Sequence, residues 1–549
     1  MCGIFSFFSS CVNEQDLIEY FNKIQHRGPD NSKVLKVNEN VFMGFHRLAI
    51  NGLGESGNQP FELNENILIC NGEIFNYKEL MHTYNFEGVY KSKSDCEIIL
   101  HLYNTYGIQK TCELLDGEFA FILYDSSLNK VFVGRDQLGI RSLYMGTRDN
   151  EYMGTRDNEY IFCSEMKGID QHFETDQFKP RHYGILDLDT MVFNYHEYFT
   201  FIGPKIKFED EEDHIENIRV FMRDAVKKRL MSDRNIGCLL SGGLDSTIVT
   251  GLVASHFEPY TINTYSIGMK GSVDLKYSKL ASDHFKTNHT IVEFSSQDFI
   301  NAIEKTIYQI ESYDVTSVRA SIGNYLISCY IRDNSNDRVI FCGDVSDEIF
   351  GSYRGFYYAP DEESFEKENI QMLNNIHYFD VLRSDRSISG ASLEARVPFG
   401  DKDLIQYVMS IEPSFKMFTD QKMEKYLLRK AFEDLMPDEL TWRVKTAFSD
   451  GVGSEEDPWH LTLKQYVDSK YTDDEFLEKS KKYLLNTPYD KESLYYREVF
   501  ESYYPNKDNT IPYFWKQPFM KCEDPSAWCA EQENKNEKNR EVVIEHSVV

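Results

Sequence analysis

The spacing of apolar residues changes along this chain, and each change marks an element. Ile4-Phe5-Ser6-Phe7-Phe8 is a short continuous apolar run and predicts a buried strand. Over residues 14–25, Leu17, Ile18, Phe21 and Ile24 recur at helical spacing and predict one buried helix face. Further strands are predicted at 67–70, 118–124 and 130–133, with Asp125-Ser126-Ser127 turning the last two into a hairpin. Residues 94–106 return to helical spacing and open on Ser94-Asp95, a cap-forming pair. The octapeptide Tyr144-Met145-Gly146-Thr147-Arg148-Asp149-Asn150-Glu151 recurs unchanged at 152–159. Two copies are too few for a solenoid. The expected form is a hairpin with return strand 160–163, its loop lengthened by duplication. A charged stretch at 205–213 marks a boundary, after which Ile215, Ile218, Met222, Ala225 and Val226 form a helical stripe. From there to about 450, helical and strand patterns alternate, which implies a parallel α/β sheet. The division expected is therefore 2–200, 212–530 and a polar, disordered tail at 531–549.

Composition narrows the function. A chain of 549 residues, 41% hydrophobic and 14% aromatic, builds two or three cored domains. A net charge of −30 excludes a general nucleic-acid binder, which needs a basic surface. Eleven cysteines without a CxxC pair argue against zinc, and with no signal peptide they read as reduced thiols. No apolar run reaches the ~20 residues of a spanning helix. A soluble, cytoplasmic protein is expected.

Two segments carry candidate chemistry. Cys2 follows the initiator methionine, and removal of Met1 would place a thiol and a free α-amine on one residue. An α-amine titrates near 8, so part of it is neutral at pH 7 and can accept the thiol proton. The second segment is Ser241-Gly242-Gly243-Leu244-Asp245-Ser246, between a predicted strand at 236–240 and an apolar helix from Thr247 to about Phe257. Strand, glycine turn and helix N-terminus make an anion site. Ser241 and Ser246 add hydroxyls, and Asp245 requires a cation between itself and phosphate, which implies Mg²⁺. No Lys-Ser/Thr pair follows, so this is not a Walker A loop.

With both segments, the chain resembles the glutamine-hydrolysing asparagine synthetases from Cys2 to about Ala527. The resemblance rests on His26-Arg27-Gly28-Pro29-Asp30, Asn71-Gly72-Glu73-Ile74-Phe75-Asn76, Gly134-Arg135-Asp136-Gln137-Leu138-Gly139, Glu394-Ala395-Arg396-Val397-Pro398-Phe399, Lys422-Met423-Glu424-Lys425, the 448–453 segment and Asp524-Pro525-Ser526-Ala527. It implies an αββα N-terminal-nucleophile domain, α+β in class, followed by a Rossmann-like α/β ATP-pyrophosphatase domain. The implied substrates are aspartate, glutamine and ATP with Mg²⁺, and a homodimer is expected. By resemblance, Cys2 is the nucleophile, Arg47 binds the glutamine carboxylate, Glu73 and Asp95 its ammonium, and Asn71 with the Gly72 N–H the oxyanion. In the second domain, Asp245 and Asp347 face Mg-pyrophosphate and Lys425 the α-phosphate. Thr316, Ser317 and Arg319 lie near pyrophosphate, while Leu240, Ile267, Cys342 and Gly343 lie on the nucleotide side. Asp344 stands where the family carries a glutamate that handles the ammonia proton. Other departures are Val345 for a glycine, Cys342 for a serine, Lys93 for a glycine, Gly400 for a leucine, Ser142 for a proline and Arg181 for a glycine. Two alternatives remain: a ligase acting on another carboxylate, such as a β-lactam synthetase, and a catalytically silent binder. Cys2 speaks against the first, and intact Arg47, Asp245, Asp347 and Lys425 against the second.

Overall fold

The computed structural model describes residues 1–9, 14–152, 155–206, 210–445, 451–453 and 459–520. The tail expected at 531–549 and the 524–527 motif lie outside the described residues, as does part of 448–453.

In the first domain two six-stranded sheets stack face to face. One runs Glu174–Gln177, Tyr144–Tyr152, Thr155–Cys163, Gly3–Phe8, Val41–Arg47, Asn31–Lys36. The other runs Val192–Glu197, His182–Asp187, Lys130–Arg135, Gly117–Asp125, Asn66–Ile74, Phe61–Leu63. All pairings are antiparallel. The period of two sorts the side chains into layers. Ile4 and Phe8 point between the sheets onto Ile69 and Ile122. Phe5 and Phe7 point outward, where Leu17 and Phe21 of the helix Glu14–Asn22 cover them. Across the second sheet, Leu68, Phe119 and Phe121 meet Ile99 and Leu102 of the helix Ile98–Leu114. The layers are αββα, as the resemblance implies.

Three local expectations are corrected. Ile18 is 38% exposed because Leu17 and Phe21, four residues apart, take the buried face, and Ile24 lies beyond the helix end at Asn22. Ser94 makes no side-chain cap. Instead the Glu97 carboxylate accepts the Lys91 and Ser92 N–H groups at 2.8 and 2.6 Å, tying the preceding loop to the helix. The octapeptide lengthens strands rather than a loop, since nine consecutive pairs run from Tyr144↔Cys163 to Tyr152↔Thr155. Eight is even, so the duplication preserves the alternation of faces and leaves Tyr144 in the core.

The second domain is built on a parallel sheet ordered Asn288–Glu293, Asn263–Gly268, Asn235–Leu239, Asp337–Phe341, Glu394–Arg396. The helix Glu211–Arg229 opens it, capped by Asp210, with Ile215, Ile218, Met222, Ala225 and Val226 all buried as their spacing predicts. Strand order reverses between Asn235–Leu239 and Asp337–Phe341. At such a switch point the loops leaving the two strands diverge and open a crevice at their carboxyl ends. The loops 240–246 and 342–347 meet there.

The edge strand Glu394–Arg396 locks the domains together. The Leu393 carbonyl accepts from the Met1 amine at 3.1 Å and the Ala395 carbonyl from Arg141 at 3.0 Å, while the Val397 N–H donates to Glu118 at 3.2 Å. Buried ion pairs Arg229–Glu118 (2.8 Å), Arg141–Glu118 (2.9 Å) and Arg27–Glu165 (2.8 Å) line the same seam. Desolvation makes such pairs costly unless geometry is satisfied, so they favour one docked arrangement.

Candidate functional sites

The first site forms where Gly3–Phe8 and Asn66–Ile74 come out of the two stacked sheets. Cys2 precedes the former, and its thiol lies 3.6 Å from the Leu48 carbonyl. Burial pushes that thiol up to about 11 and the Met1 amine down to about 6. The Met1 amine donates to Leu393, and with Met1 in place the Cys2 nitrogen is a peptide amide that offers no base. The thiol feels the charges of Glu73 and Glu394, and Arg47 feels the thiol, which puts these groups in one electrostatic neighbourhood. Arg47 is buried, and the loop after it holds its guanidinium. Nη1 donates to the Gly54 carbonyl (2.9 Å) and Asn58 Oδ1 (2.7 Å), and Nη2 to the Gly52 carbonyl (2.5 Å). These neutral acceptors orient the fork without cancelling its charge.

The strand Asn66–Ile74 carries the remaining groups. Asn71 is fully buried, and neither end of its amide has a hydrogen-bond partner. An orphaned buried amide costs about 1–3 kcal/mol, a standing cost that an arriving oxyanion would offset. Gly72 has φ +151°, and a Cβ there would stand 2.2 Å from the Glu118 carbonyl, so only glycine fits. Asp95 accepts the Ile74 N–H at 2.6 Å, and Asn51 donates to Glu73. Burial, and then the neighbouring Asp95 charge, hold Glu73 well above the usual carboxylate range; burial lifts Asp95 to about 6. Two desolvated carboxyls side by side suit a cation. Lys93, in the loop before Asp95, packs under Gly52 of the Arg47 loop, so the substituted position joins the two clamps.

The second site is a cavity of about 280 Å³ at the switch point, lined by both loops and by the helix starting at Val315. Gly242 sits at φ +78° with its carbonyl accepting from Arg443 at 2.9 Å, and a Cβ there would meet the Ser278 backbone at 2.4 Å. Ser241 and Ser246 hydroxyls lie 2.9 Å apart, and the Ser241 Oγ accepts the Gly243 N–H at 3.3 Å. The buried Lys425 ammonium bridges Asp245 Oδ2 and Asp347 Oδ1, each at 2.6 Å, and Lys445 joins Asp347. Despite burial, these lysines hold Asp347 far below the usual carboxylate range. Lys425 has φ +56° and starts the helix Tyr426–Ala431.

Asp344 is held at both oxygens, by Arg383 at 2.8 Å and Ser384 Oγ at 2.7 Å. Ser384 also meets Cys342 Sγ at 3.4 Å. Val345 carries φ +80° while 1% exposed. A β-branched residue is a strained occupant of this region. Thr316 lines the cavity with its buried hydroxyl unpartnered, and Arg319 lines it while gripping Glu492 at 2.7 and 2.6 Å. Gly343 also lines the cavity. Leu240, Gly242, Ile267 and Ser317 fall outside the lining; Ser317 instead binds the helix-capping Asp314 at 2.8 Å.

Sequence reading passed over Glu348, Tyr353, Asp380, Arg383 and Lys445, all of which line this cavity. Tyr353 OH lies 2.6 Å from Glu348 and 2.7 Å from Asp380. A phenol has one proton, so one of the two carboxyls must supply the second. Burial and the Asp380 charge push Glu348 up, making it the acid. The Asp-Glu step at 347–348 and the basic pair Arg443 and Lys445 are the available signals. Among the described residues, no group of three or more His, Cys, Asp or Glu side chains is placed to hold a metal alone, and no helix is long and apolar enough to cross a membrane.

Residues 1–187 match the glutamine amidotransferase domain family, and residues 217–371 and 359–529 match the asparagine synthase family. Among curated proteins, the glutamine-hydrolysing asparagine synthetase of Bos taurus is 39% identical over 96% of this chain and 98% of its own length. That of Gallus gallus is 40% identical over the same shares. A probable glutamine-hydrolysing asparagine synthetase of Acanthamoeba polyphaga mimivirus is 37% identical, over 96% of this chain and 99% of its own.

Proposed function

From the premise that the chain belongs to the glutamine-hydrolysing asparagine synthetase family, we propose that it converts aspartate, glutamine, ATP and water to asparagine, glutamate, AMP and diphosphate. The 2–200 region is the glutaminase and the 212–530 region the synthetase. Loss of Met1 frees the Cys2 α-amine to take the thiol proton, and Sγ attacks the glutamine side-chain carbonyl. The C–N bond breaks as the amine returns the proton to the leaving ammonia, and water then hydrolyses the thioester to glutamate and free Cys2. Asn71 and the Gly72 N–H receive the oxyanion, a role whose loss typically costs ~10²–10³ in rate. Arg47 clamps the glutamine carboxylate; Glu73 and Asp95 take its ammonium.

In the second cavity the aspartate side-chain carboxylate attacks the α-phosphorus and pyrophosphate leaves. Ammonia then displaces AMP from the acyl-adenylate, with Asp344 accepting the proton. Lys425 and the Ser241–Ser246 amides offset the charge that builds on phosphate. Asp245 and Asp347, both facing the cavity, would hold Mg²⁺ together with the triphosphate; the ion supplies charge neutralisation when bound. The observation that carries this reading is the Lys425 bridge between those carboxylates at the head of the glycine turn. A cytoplasmic homodimer is the expectation that family membership adds.

Product analysis with aspartate, glutamine and Mg-ATP tests it. Asparagine and AMP in equal amounts are expected; ADP in place of AMP, or AMP without asparagine, would refute it.

A further inference from the structure

Beside the synthetase cavity lies a second one, of about 350 Å³. Glu348, Trp515 and Gln517 line both, and so belong to the wall between them. One side of the second cavity is the helix Glu362–Asn375, where Glu368, Gln371 and Met372 share a face by their helical spacing. The other side is the segment 513–520, which hydrogen bonds hold in place. Asn375 donates to the Tyr513 hydroxyl at 2.9 Å, the Trp515 N–H to Asp314 at 2.8 Å, and the Gly355 N–H to Gln517 Oε1 at 3.1 Å. A Cβ on Gly355 would stand 1.8 Å from the Pro518 carbonyl, so the segment seats where only glycine admits it.

The lining changes with depth. Gln371 is exposed and Glu368 half-buried at the mouth, Met372, Ile376 and Phe379 are buried in the throat, and Glu348 stands at the inner end. Lys516 in the same lining is exposed, where solvent screens it. Aspartate and nucleotide are anions, and an apolar throat between Glu368 and the Glu348–Asp380 pair repels them. An ammonium ion suits it. Carboxylate oxygens accept its N–H groups, and the rings of Phe379, Tyr513 and Trp515 offer π-density to a cation.

Attack on an acyl-adenylate needs neutral ammonia, so the ion must lose a proton on the way. Held against Glu368, it can pass one to that carboxylate: an N–H bond breaks, an O–H bond forms, and the acid later returns the proton to water. Entry into the throat favours the transfer, since two charges become none. Burial already raises the proton affinity of Glu368.

We propose that this second cavity is a port for ammonium from solution, which enters at Glu368 and passes Glu348 to reach the acyl-adenylate without using the glutamine site. This rests on the synthetase reading given above.

Steady-state asparagine formation with saturating aspartate and Mg-ATP, and with either ammonium chloride or glutamine as nitrogen source, separates the port from the glutamine route. Glu368→Gln should lower kcat/KM for ammonium roughly 10-fold, the advantage that a cleft of opposite charge gives a small ion. It should leave kcat/KM for glutamine and the KM for aspartate unchanged. Gln371→Glu, at the exposed mouth, adds a carboxylate and should raise kcat/KM for ammonium instead. An ammonium value unmoved in either folded variant, equal losses with both nitrogen sources, or a raised KM for aspartate overturns the inference alone. A parent chain that makes no asparagine from either source overturns the functional reading with it.

Discussion

At position 345 the sequence and the backbone disagree. The resemblance marks a glycine there, and the backbone keeps glycine geometry at φ +80° although the residue is Val. The left-handed region costs a non-glycine residue ~1–2 kcal/mol. Glycine should therefore stabilise relative to alanine here, reversing the usual order. In denaturant unfolding, Val345→Gly should exceed Val345→Ala by ~1 kcal/mol; the opposite order would show the strain is absent. Asp95 provides a second residue-level test. Its pKa of about 6 lies above the unfolded value, so it binds a proton as pH falls through 6 and loses its hold on an ammonium. Because the raised pKa reflects a penalty on the charged form, it gives no stability at pH 7; its signature is kinetic. The kcat/KM for glutamine should fall below about pH 6, whereas kcat/KM for aspartate with ammonia should not share that limb. A matching limb in both would remove Asp95 from the glutamine site.

Among elements, the duplicated hairpin shows what patterning determines. Continuous apolar runs located the strands at Gly3–Phe8, Gly117–Asp125 and Lys130–Arg135, which are buried on both faces while their side chains still alternate between faces with a period of two. The same rule explains why eight extra residues extended a ladder that reading by turn residues had placed in a loop: Arg148 and Glu159 face each other across it and pair. Deleting residues 152–159 should leave Tyr144–Thr147 on the same face and shift Tm by only a few degrees. Deleting seven inverts the faces and should cost far more, the comparison being made by calorimetry; equal losses would contradict the register. The cap at Ser94 was misread because cap propensity is local, whereas the winning contacts to Glu97 come from the loop before it.

On the scale of the molecule, what was legible is what local sequence carries. Cys2, Asn71-Gly72 and Ser241–Ser246 are contiguous motifs whose chemistry is written in neighbours. Asp380 reaches Glu348 and Tyr353 from the start of a separate helix, Asp380–Ser389, and Arg396 meets Glu73 only because the edge strand lies in the seam between domains. Contacts 27 to 323 residues apart leave no periodic trace in a single chain. The central claim is that nitrogen is released at one site and used at another. Cys2→Ala, assayed with glutamine and separately with ammonium as nitrogen source, tests it most directly. The account predicts that glutamine-dependent asparagine formation disappears while ammonia-dependent formation, with AMP released, continues near the parent rate; loss of both together, or survival of both, would contradict it.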